Sequence, residues 1–313
     1  MLERLMKDHF VRGVAGLTAF LAVILCLMIT DWRPTFHRQK PVRVVTSLGV
    51  YGDVAREVAG PHGQVTTLIN STAVDPHDFQ PSTSQAETVS RANVVVVNGL
   101  GYDYWLNKLV ASNNRQLAMI NVARQVANKH AGDNEHVWYL PSTLPRLADR
   151  LAQQYSKIDP DHADDYHTNA RRFKKQLTPL QQTIATAKKN AQRSANKRVA
   201  VTEPVFDYAL DYLGYSISDP HFAKAVEDGS DPSPADVRYL QDDLVNHRVA
   251  FLVENTQSSG KTIKNLVQLA NKENVPVLKV TETKPKNISD VNWLLNEYQQ
   301  LIRIQEKEGS SSH

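Results

Sequence analysis

Short apolar runs alternate with amphipathic helical patterns in two separate blocks of this 313-residue chain. In the first block, the run 93–98 holds four consecutive valines, which is typical of a strand buried on both faces of a parallel sheet. A second block begins near residue 198 and repeats the alternation. Strands that alternate with helices form parallel sheets through right-handed crossovers. The pattern therefore predicts an α/β protein of two lobes, each with a mainly parallel sheet and flanking helices.

The same periodicities place the individual elements. The predicted strands are 42–46, 65–69, 93–98, 117–122, 198–202, 249–253 and 275–280. The predicted helices are 49–59, 82–91, 104–111, 204–213, 234–244, 261–272 and 290–304.

Residues 141–197 separate the two blocks and contain neither a strand pattern nor a glycine. Apolar side chains recur there in steps of three and four, which predicts a long linking helix with one buried face. Pro179 should kink or interrupt that helix. The stripe consists of Tyr166, Ala170, Phe173, Leu177, Leu180, Ile184 and Ala187. The predicted domains are an N-terminal lobe at 42–140, linking helices at 141–197, a C-terminal lobe at 198–306 and a disordered tail at 307–313.

The N-terminus has the pattern of a targeting signal. Basic residues precede the uncharged run 13–30, which is near the lower limit for a membrane-spanning helix and long for a signal peptide. Cys26 follows Val-Ile-Leu, whereas a lipoprotein signal requires small residues there. We expect residues 1–41 to be an uncleaved signal anchor and linker, with cleavage or lipidation as alternatives. The protein is then held at the cell surface, tethered to the cytoplasmic membrane.

Composition limits the possible partners and ligands. The net charge of +3 is too small to indicate nucleic-acid binding. We also expect the protein to be a monomer. The only cysteine is Cys26, so a metal site in the large domain must use nitrogen and oxygen donors.

Four candidate metal ligands lie in loops beyond predicted strands or before helices. They are His77, His136, Glu203 and Glu282. Ligand sites in α/β proteins form at the carboxyl ends of the strands, so these loops can converge between the lobes. Each residue alone also fits an ordinary role, such as a surface turn, a helix cap or a carboxylate at a helix N-terminus. Together, two imidazoles and two carboxylates predict a closed four-ligand site for a divalent metal. His221 is a weaker further candidate.

The chain resembles the metal-binding substrate-binding proteins of ABC transporters for zinc and manganese. The resemblance spans about residues 42–306 and is carried by the segments 75–81, 135–138, 201–206 and 280–283. It implies an extracytoplasmic protein that captures Zn2+ or Mn2+ as cargo between two lobes and delivers it to a membrane permease. It also implies that the metal ligands are His77, His136, Glu203 and Glu282.

Two departures from that family concern the site: the first affects the placement of its last ligand, and the second affects the choice of metal. Many members have an aspartate where this chain has Glu282, and zinc-specific members often have a third histidine and a histidine-rich loop that this chain lacks. Two imidazoles with two carboxylates favour manganese by ligand hardness, whereas the Irving–Williams order favours zinc. Both metals remain candidates.

Two other classes of function stay open. A metal-dependent hydrolase needs an open coordination position for water, which four protein ligands do not leave, so we expect no enzyme activity. An adhesion protein with a structural metal would hold an ion that does not exchange.

Overall fold

The computed structural model describes residues 12–14, 16–24, 41–74, 76, 79–112, 117–258 and 260–311. Two compact units make up the chain, residues 1–40 and residues 41–313. In the first unit, residues 12–14 and 16–24 are helical. Among the residues that the structure describes, no helix combines the length and apolar character needed to span a membrane. The predicted anchor run 13–30 falls partly outside the described residues, and Cys26 lies outside them.

The first lobe of the larger unit is built on a parallel sheet with the strand order β2-β1-β3-β4. Its strands are β1 (Val42–Leu48), β2 (Gly63–Ile69), β3 (Val94–Val97) and β4 (Ala118–Asn121), and its helices are α1 (Gly49–Ala59), α2 (Thr83–Ser90), α3 (Tyr104–Ala111) and α4 (Val122–Gln125). Val94 and Val96 pack in the core that includes α1, while Val95 and Val97 pack with residues of α2 and α3. The predicted burial of this strand on both faces is confirmed.

Three helices follow the first lobe: α5 (Thr143–Ile158), α6 (Ala163–Gln176) and α7 (Thr178–Arg193). Every residue of the predicted apolar stripe is buried. The helix is interrupted at Leu177, and Pro179 lies in the first turn of α7. A proline is tolerated there because the first N–H groups of a helix have no partner within the helix. The predicted interruption is confirmed.

The second lobe repeats the strand order of the first, as β6-β5-β7-β8, and all its strands are parallel. Its strands are β5 (Arg198–Val201), β6 (Ser216–Ile217), β7 (Leu252–Asn255) and β8 (Val277–Val280), and its helices are α8 (Asp207–Leu213), α9 (Pro220–Glu227), α10 (Pro234–Val245), α11 (Lys261–Lys272) and α12 (Asp290–Ser311). Strand β6 and helix α9 were not predicted. In each sheet the second strand along the chain (β2 or β6) lies on one side of the first strand (β1 or β5), and the later strands lie on the other side. This reversal of the strand order opens a crevice at the carboxyl ends of the strands.

The end of the chain departs from the prediction of a disordered tail at 307–313. Helix α12 continues to Ser311, and residues 312–313 lie outside the described residues. Tyr298, Leu301 and Ile304 are buried in the main core, and Gln305 Nε2 donates hydrogen bonds to Ala187 O at 3.0 Å and Tyr215 Oη at 2.9 Å. These contacts anchor the helix up to Gln305, and its backbone stays helical beyond them to Ser311, whereas the polar sequence alone suggested disorder.

Candidate metal centre

The structure describes three of the four predicted ligands. His136 lies just before the short helix Val137–Tyr139, Glu203 follows β5 and Glu282 follows β8. The ring of His136 faces Glu282, with Nε2 and Oε1 3.8 Å apart. His77 lies outside the described residues, so its place in the site stays a prediction.

Hydrogen bonds to Asn134 determine the orientation of the His136 ring. Asn134 Nδ2 donates to Pro204 O at 2.6 Å, which fixes the carboxamide with Oδ1 as the acceptor. That Oδ1 lies 2.8 Å from both the backbone N and Nδ1 of His136. Nδ1 is therefore the donor nitrogen, and a neutral ring carries its lone pair on Nε2. A hydrogen bond to one ring nitrogen commonly orients the other towards a metal.

Nε2 of His136 is buried and, among the described residues, has no hydrogen-bond partner. It lies 3.8 Å from carboxylate oxygens of both Glu227 and Glu282. Burial lowers the pKa of His136, but the surrounding carboxylates Glu282, Glu227 and Glu135 raise it above its ordinary value. An ion bound here would displace the proton from Nε2.

Glu282 comes from the second lobe and meets a tyrosine of the first lobe. The side chain is largely buried, and its Oε1 accepts a hydrogen bond from Tyr102 Oη at 2.8 Å. Burial, followed by the charge of Glu282, raises the pKa of Tyr102 well above its ordinary value. Tyr102 therefore remains a phenol and donates to the carboxylate. This bond links the two lobes at the candidate centre.

Glu203 is half-buried where β5 ends, and its Oε2 accepts a hydrogen bond from Asn255 Nδ2 at the end of β7. Burial raises the pKa of Glu203, and the charges of Glu227 and Glu282 raise it further, while the nearby Ser258 and the hydrogen bond from Asn255 act in the opposite direction. The charges of Glu227 and Glu282 therefore reach Glu203, but among the described residues its carboxylate is not one of the ligand atoms that lie within 4.8 Å of one another beside His136.

Two acidic residues near His136 were not among the predicted ligands. Glu135, His136 and Glu227 each place a potential ligand atom within 4.8 Å of the others. Glu227 is the last residue of α9, a helix that was not predicted from the sequence. A signal for that helix was present, because Asp219 and Pro220 form an N-cap followed by proline at the first helical position. The weaker candidate His221 lies exposed in the first turn of the same helix.

Buried carboxylates dominate the electrostatics of this centre. Burial raises the pKa of Glu135, and the charge of Glu227 raises it further. Burial also raises the pKa of Asp207 to about 7, although His136 acts to lower it. Negative charge gathered away from water is costly unless a cation compensates it. The donor set of imidazole nitrogen and carboxylate oxygen fits a divalent cation such as Zn2+ or Mn2+.

Comparison with known families gives a match over most of the chain. The model of the family described as "Zinc-uptake complex component A periplasmic" matches residues 44–305.

Curated relatives are named for several metals. The chain is 25% identical to the manganese-binding lipoprotein MntA of Bacillus subtilis over 74% of this chain and 76% of the relative. It is 23% identical to the high-affinity zinc uptake system protein ZnuA of Paracoccus denitrificans over 74% of this chain and 81% of the relative. The MntA protein of Halalkalibacterium halodurans is 26% identical, and that match covers 56% of this chain and 58% of the relative.

Solved structures share the fold. The Mn2+ complex of the SBP FpvC from Pseudomonas aeruginosa has a TM-score of 0.70 at 20% identity and covers 86% of this chain and 99% of the other. A Mn-bound periplasmic metal binding protein from Candidatus Liberibacter asiaticus has a TM-score of 0.69 at 17% identity, over 84% of this chain and 99% of the other. The predicted architecture of two parallel-sheet lobes with a helical linker is confirmed.

Proposed function

Because this chain belongs to the family of the periplasmic component A of zinc-uptake complexes, we propose that it is the extracytoplasmic metal-binding component of an ABC importer. It captures Zn2+ or Mn2+ and delivers the ion to a membrane permease. The observation that carries this proposal is the buried Nε2 of His136, which faces carboxylates of the opposite lobe at 3.8 Å.

The proposed ligands are His77, His136, Glu203 and Glu282. His136 Nε2 and the carboxylates of Glu203 and Glu282 supply donors from both lobes, so the ion itself would join the lobes. Binding displaces the proton that the carboxylates favour on His136, so we expect affinity to fall as the pH falls.

Contacts between the lobes beside the centre support a closed cleft around the ion. Thr283, next to Glu282, donates from Oγ1 to Ser71 O at 3.3 Å, and Gln257 Nε2 donates to Thr72 O at 3.1 Å. Ser71 and Thr72 begin the loop that carries His77. Release to a permease would require these bonds to break, and a modest shift of one lobe is enough for that.

The same proposal implies where in the cell the protein is located. Several relatives are named lipoproteins, including the MntA proteins and FimA of Streptococcus parasanguinis. We place this chain outside the cytoplasmic membrane and tethered to it by its N-terminal segment. A tether keeps the protein at a high effective concentration beside its permease.

Calorimetry on the purified full-length chain, stripped of metal by a chelator, tests the proposal. We expect wild type to bind Zn2+ or Mn2+ at one site. We expect the metal affinity of both His136→Ala and Glu203→Ala to fall by more than the roughly 10–100-fold that follows removal of a residue that only orients a ligand. His221→Ala is the matched control, because His221 is exposed on the neighbouring helix α9.

Two outcomes would overturn the proposal. Full metal affinity in both His136→Ala and Glu203→Ala would show that the ion binds elsewhere. Hydrolysis of ester or peptide substrates by the metal-loaded protein would identify an enzyme instead.

A further inference from the structure

Helix α9 brings one more carboxylate to the candidate centre than the proposed ligand set contains. Glu227 Oε1 lies 3.8 Å from His136 Nε2, the same separation as Glu282 Oε1. Donors that share one ion at about 2.1 Å are roughly 3.0–3.5 Å apart. Each of the two carboxylate oxygens therefore lies a few tenths of an ångström farther from Nε2 than two donors on one ion would.

The local structure of α9 turns Glu227 inward. Asp219 caps the helix by accepting hydrogen bonds from the N–H groups of His221 and Phe222. Ala223 is buried, and Glu227 follows it by four residues, so both lie on the same face of the helix. The side chain of Glu227 is only 5% exposed.

The next acidic residue along the chain behaves differently. Asp228 forms an ion pair with Lys224, and both side chains are more than half exposed to solvent. Two neighbouring acids at the end of one helix thus have opposite environments, and only Glu227 faces the imidazole.

We propose that Glu227 is a direct ligand of the transported ion and that it tilts the selectivity of the site towards Mn2+. This inference rests on the proposed function, since it adds a fifth donor to His77, His136, Glu203 and Glu282. Zn2+ in protein sites is satisfied by four donors, whereas Mn2+ favours carboxylate oxygen and higher coordination numbers. A third carboxylate therefore stabilises bound Mn2+ more than bound Zn2+.

A structural role for Glu227 is the competing explanation. Its carboxyl group also interacts with that of Glu135, and this pair could simply hold the loop before His136 in place. In that case Glu135→Gln and Glu227→Gln would lower the affinities for both metals equally, without changing the number of ligands on the ion.

The test measures Mn2+ and Zn2+ affinities of the metal-stripped full-length chain by competition with a chromophoric chelator. We expect Glu227→Gln to weaken Mn2+ binding by about tenfold or more and Zn2+ binding by less than about threefold. Asp228→Asn removes the same charge one residue away from an exposed position, and it should leave both affinities unchanged.

Spectra of the protein loaded with Co2+ provide a second measurement that does not depend on affinity. Loss of a ligand in Glu227→Gln should raise the visible absorption of bound Co2+, because four-coordinate Co2+ absorbs more strongly than five-coordinate Co2+. Asp228→Asn and Glu135→Gln should keep the wild-type spectrum.

The inference is overturned if wild type binds metal while Glu227→Gln keeps both the wild-type ratio of Mn2+ to Zn2+ affinity and the wild-type Co2+ spectrum. Equal losses for both metals with an unchanged spectrum would assign Glu227 the structural role. Failure of the wild type to bind either ion would instead contradict the proposed function, so the two failures are distinguishable.

Discussion

The two lobes have the same strand order, yet they bring different chemistry to the cleft. The first lobe supplies groups held by directed hydrogen bonds: Asn98 Nδ2 donates to Glu135 O at 2.9 Å, and Asn134 orients the ring of His136. The second lobe supplies the carboxylates of Glu203, Glu227 and Glu282. Glu135 is the exception in the first lobe.

This difference separates two requirements of a metal-capture site. An imidazole binds well only when one nitrogen is aimed at the ion, so its lobe must fix a direction. Carboxylates contribute charge, which acts over a longer range and costs stability when no cation is present. In the proposed site, the first lobe would therefore orient the imidazole, and the second lobe would supply negative charge that a bound ion would neutralise.

The largest effect is expected from breaking the orientation in the first lobe. Asn134→Ala removes the acceptor for Nδ1 of His136, so the ring can turn and Nε2 loses its fixed direction. We expect metal affinity to fall by roughly 10–100-fold in calorimetry of the purified chain.

Asn134→Asp is the control for that experiment. It keeps an oxygen acceptor for Nδ1 while losing the donor to Pro204 O, so it should recover most of the affinity. An equal loss in both variants would mean that the bond to Pro204, rather than the direction of the ring, is what the site requires.

A second prediction concerns the buried acid of the second lobe in the metal-free protein. Burial raises the pKa of Glu297 to about 8, against hydrogen bonds from Thr281, Tyr139 and Trp293 that act to lower it. The folded state then holds a proton that the unfolded state has released, so the free energy of unfolding falls as the pH rises. Between pH 6 and pH 8 the loss from this group is on the order of 2 kcal/mol.

Glu297→Gln mimics the protonated state and sharpens this prediction. Tyr139 Oη lies 2.8 Å from Thr281 O and 2.9 Å from Glu297 Oε2, and its single proton can serve only one of them. A protonated Glu297, or a glutamine, can donate to Tyr139 while Tyr139 donates to Thr281.

Urea unfolding at both pH values is the measurement. Glu297→Gln should match wild type near pH 6 and exceed it near pH 8. Glu306→Gln, at an exposed position of the same helix, should follow the wild-type pH dependence. A wild-type stability that does not fall between these pH values would contradict the assignment.

Much of the architecture was predictable because the apolar periodicity of long elements is local information. The bounds of α1, α3 and α11 agree with the prediction to the residue. Strand β6 is only two residues long, and α9 follows it closely, so neither produced a periodic signal. The C-terminal part of α12 is anchored by contacts of Gln305 with Ala187 and Tyr215, which lie far away in sequence.

The candidate centre was predictable to a smaller degree. His136, Glu203 and Glu282 could be selected because they flank strands and helices that were recognisable. Glu227 was missed with the helix that carries it. The hydrogen bond between Tyr102 and Glu282 joins residues 180 positions apart, and no sequence pattern predicts such a pair.

That bond between the lobes gives the prediction with the smallest expected effect. Tyr102→Phe keeps the ring, which packs edge-on against Trp138 with ring centroids 5.4 Å apart, and removes only the hydroxyl that donates to Glu282 Oε1. The carboxylate loses one neutral donor, which corresponds to about 1 kcal/mol or a several-fold weaker affinity for the ion. Tyr104→Phe, at an exposed position two residues away, should leave the affinity unchanged in the same titration. An unchanged affinity in Tyr102→Phe would mean that the first lobe contributes to the centre through His136 and its own loop, and that the carboxylate of Glu282 is positioned by the second lobe alone.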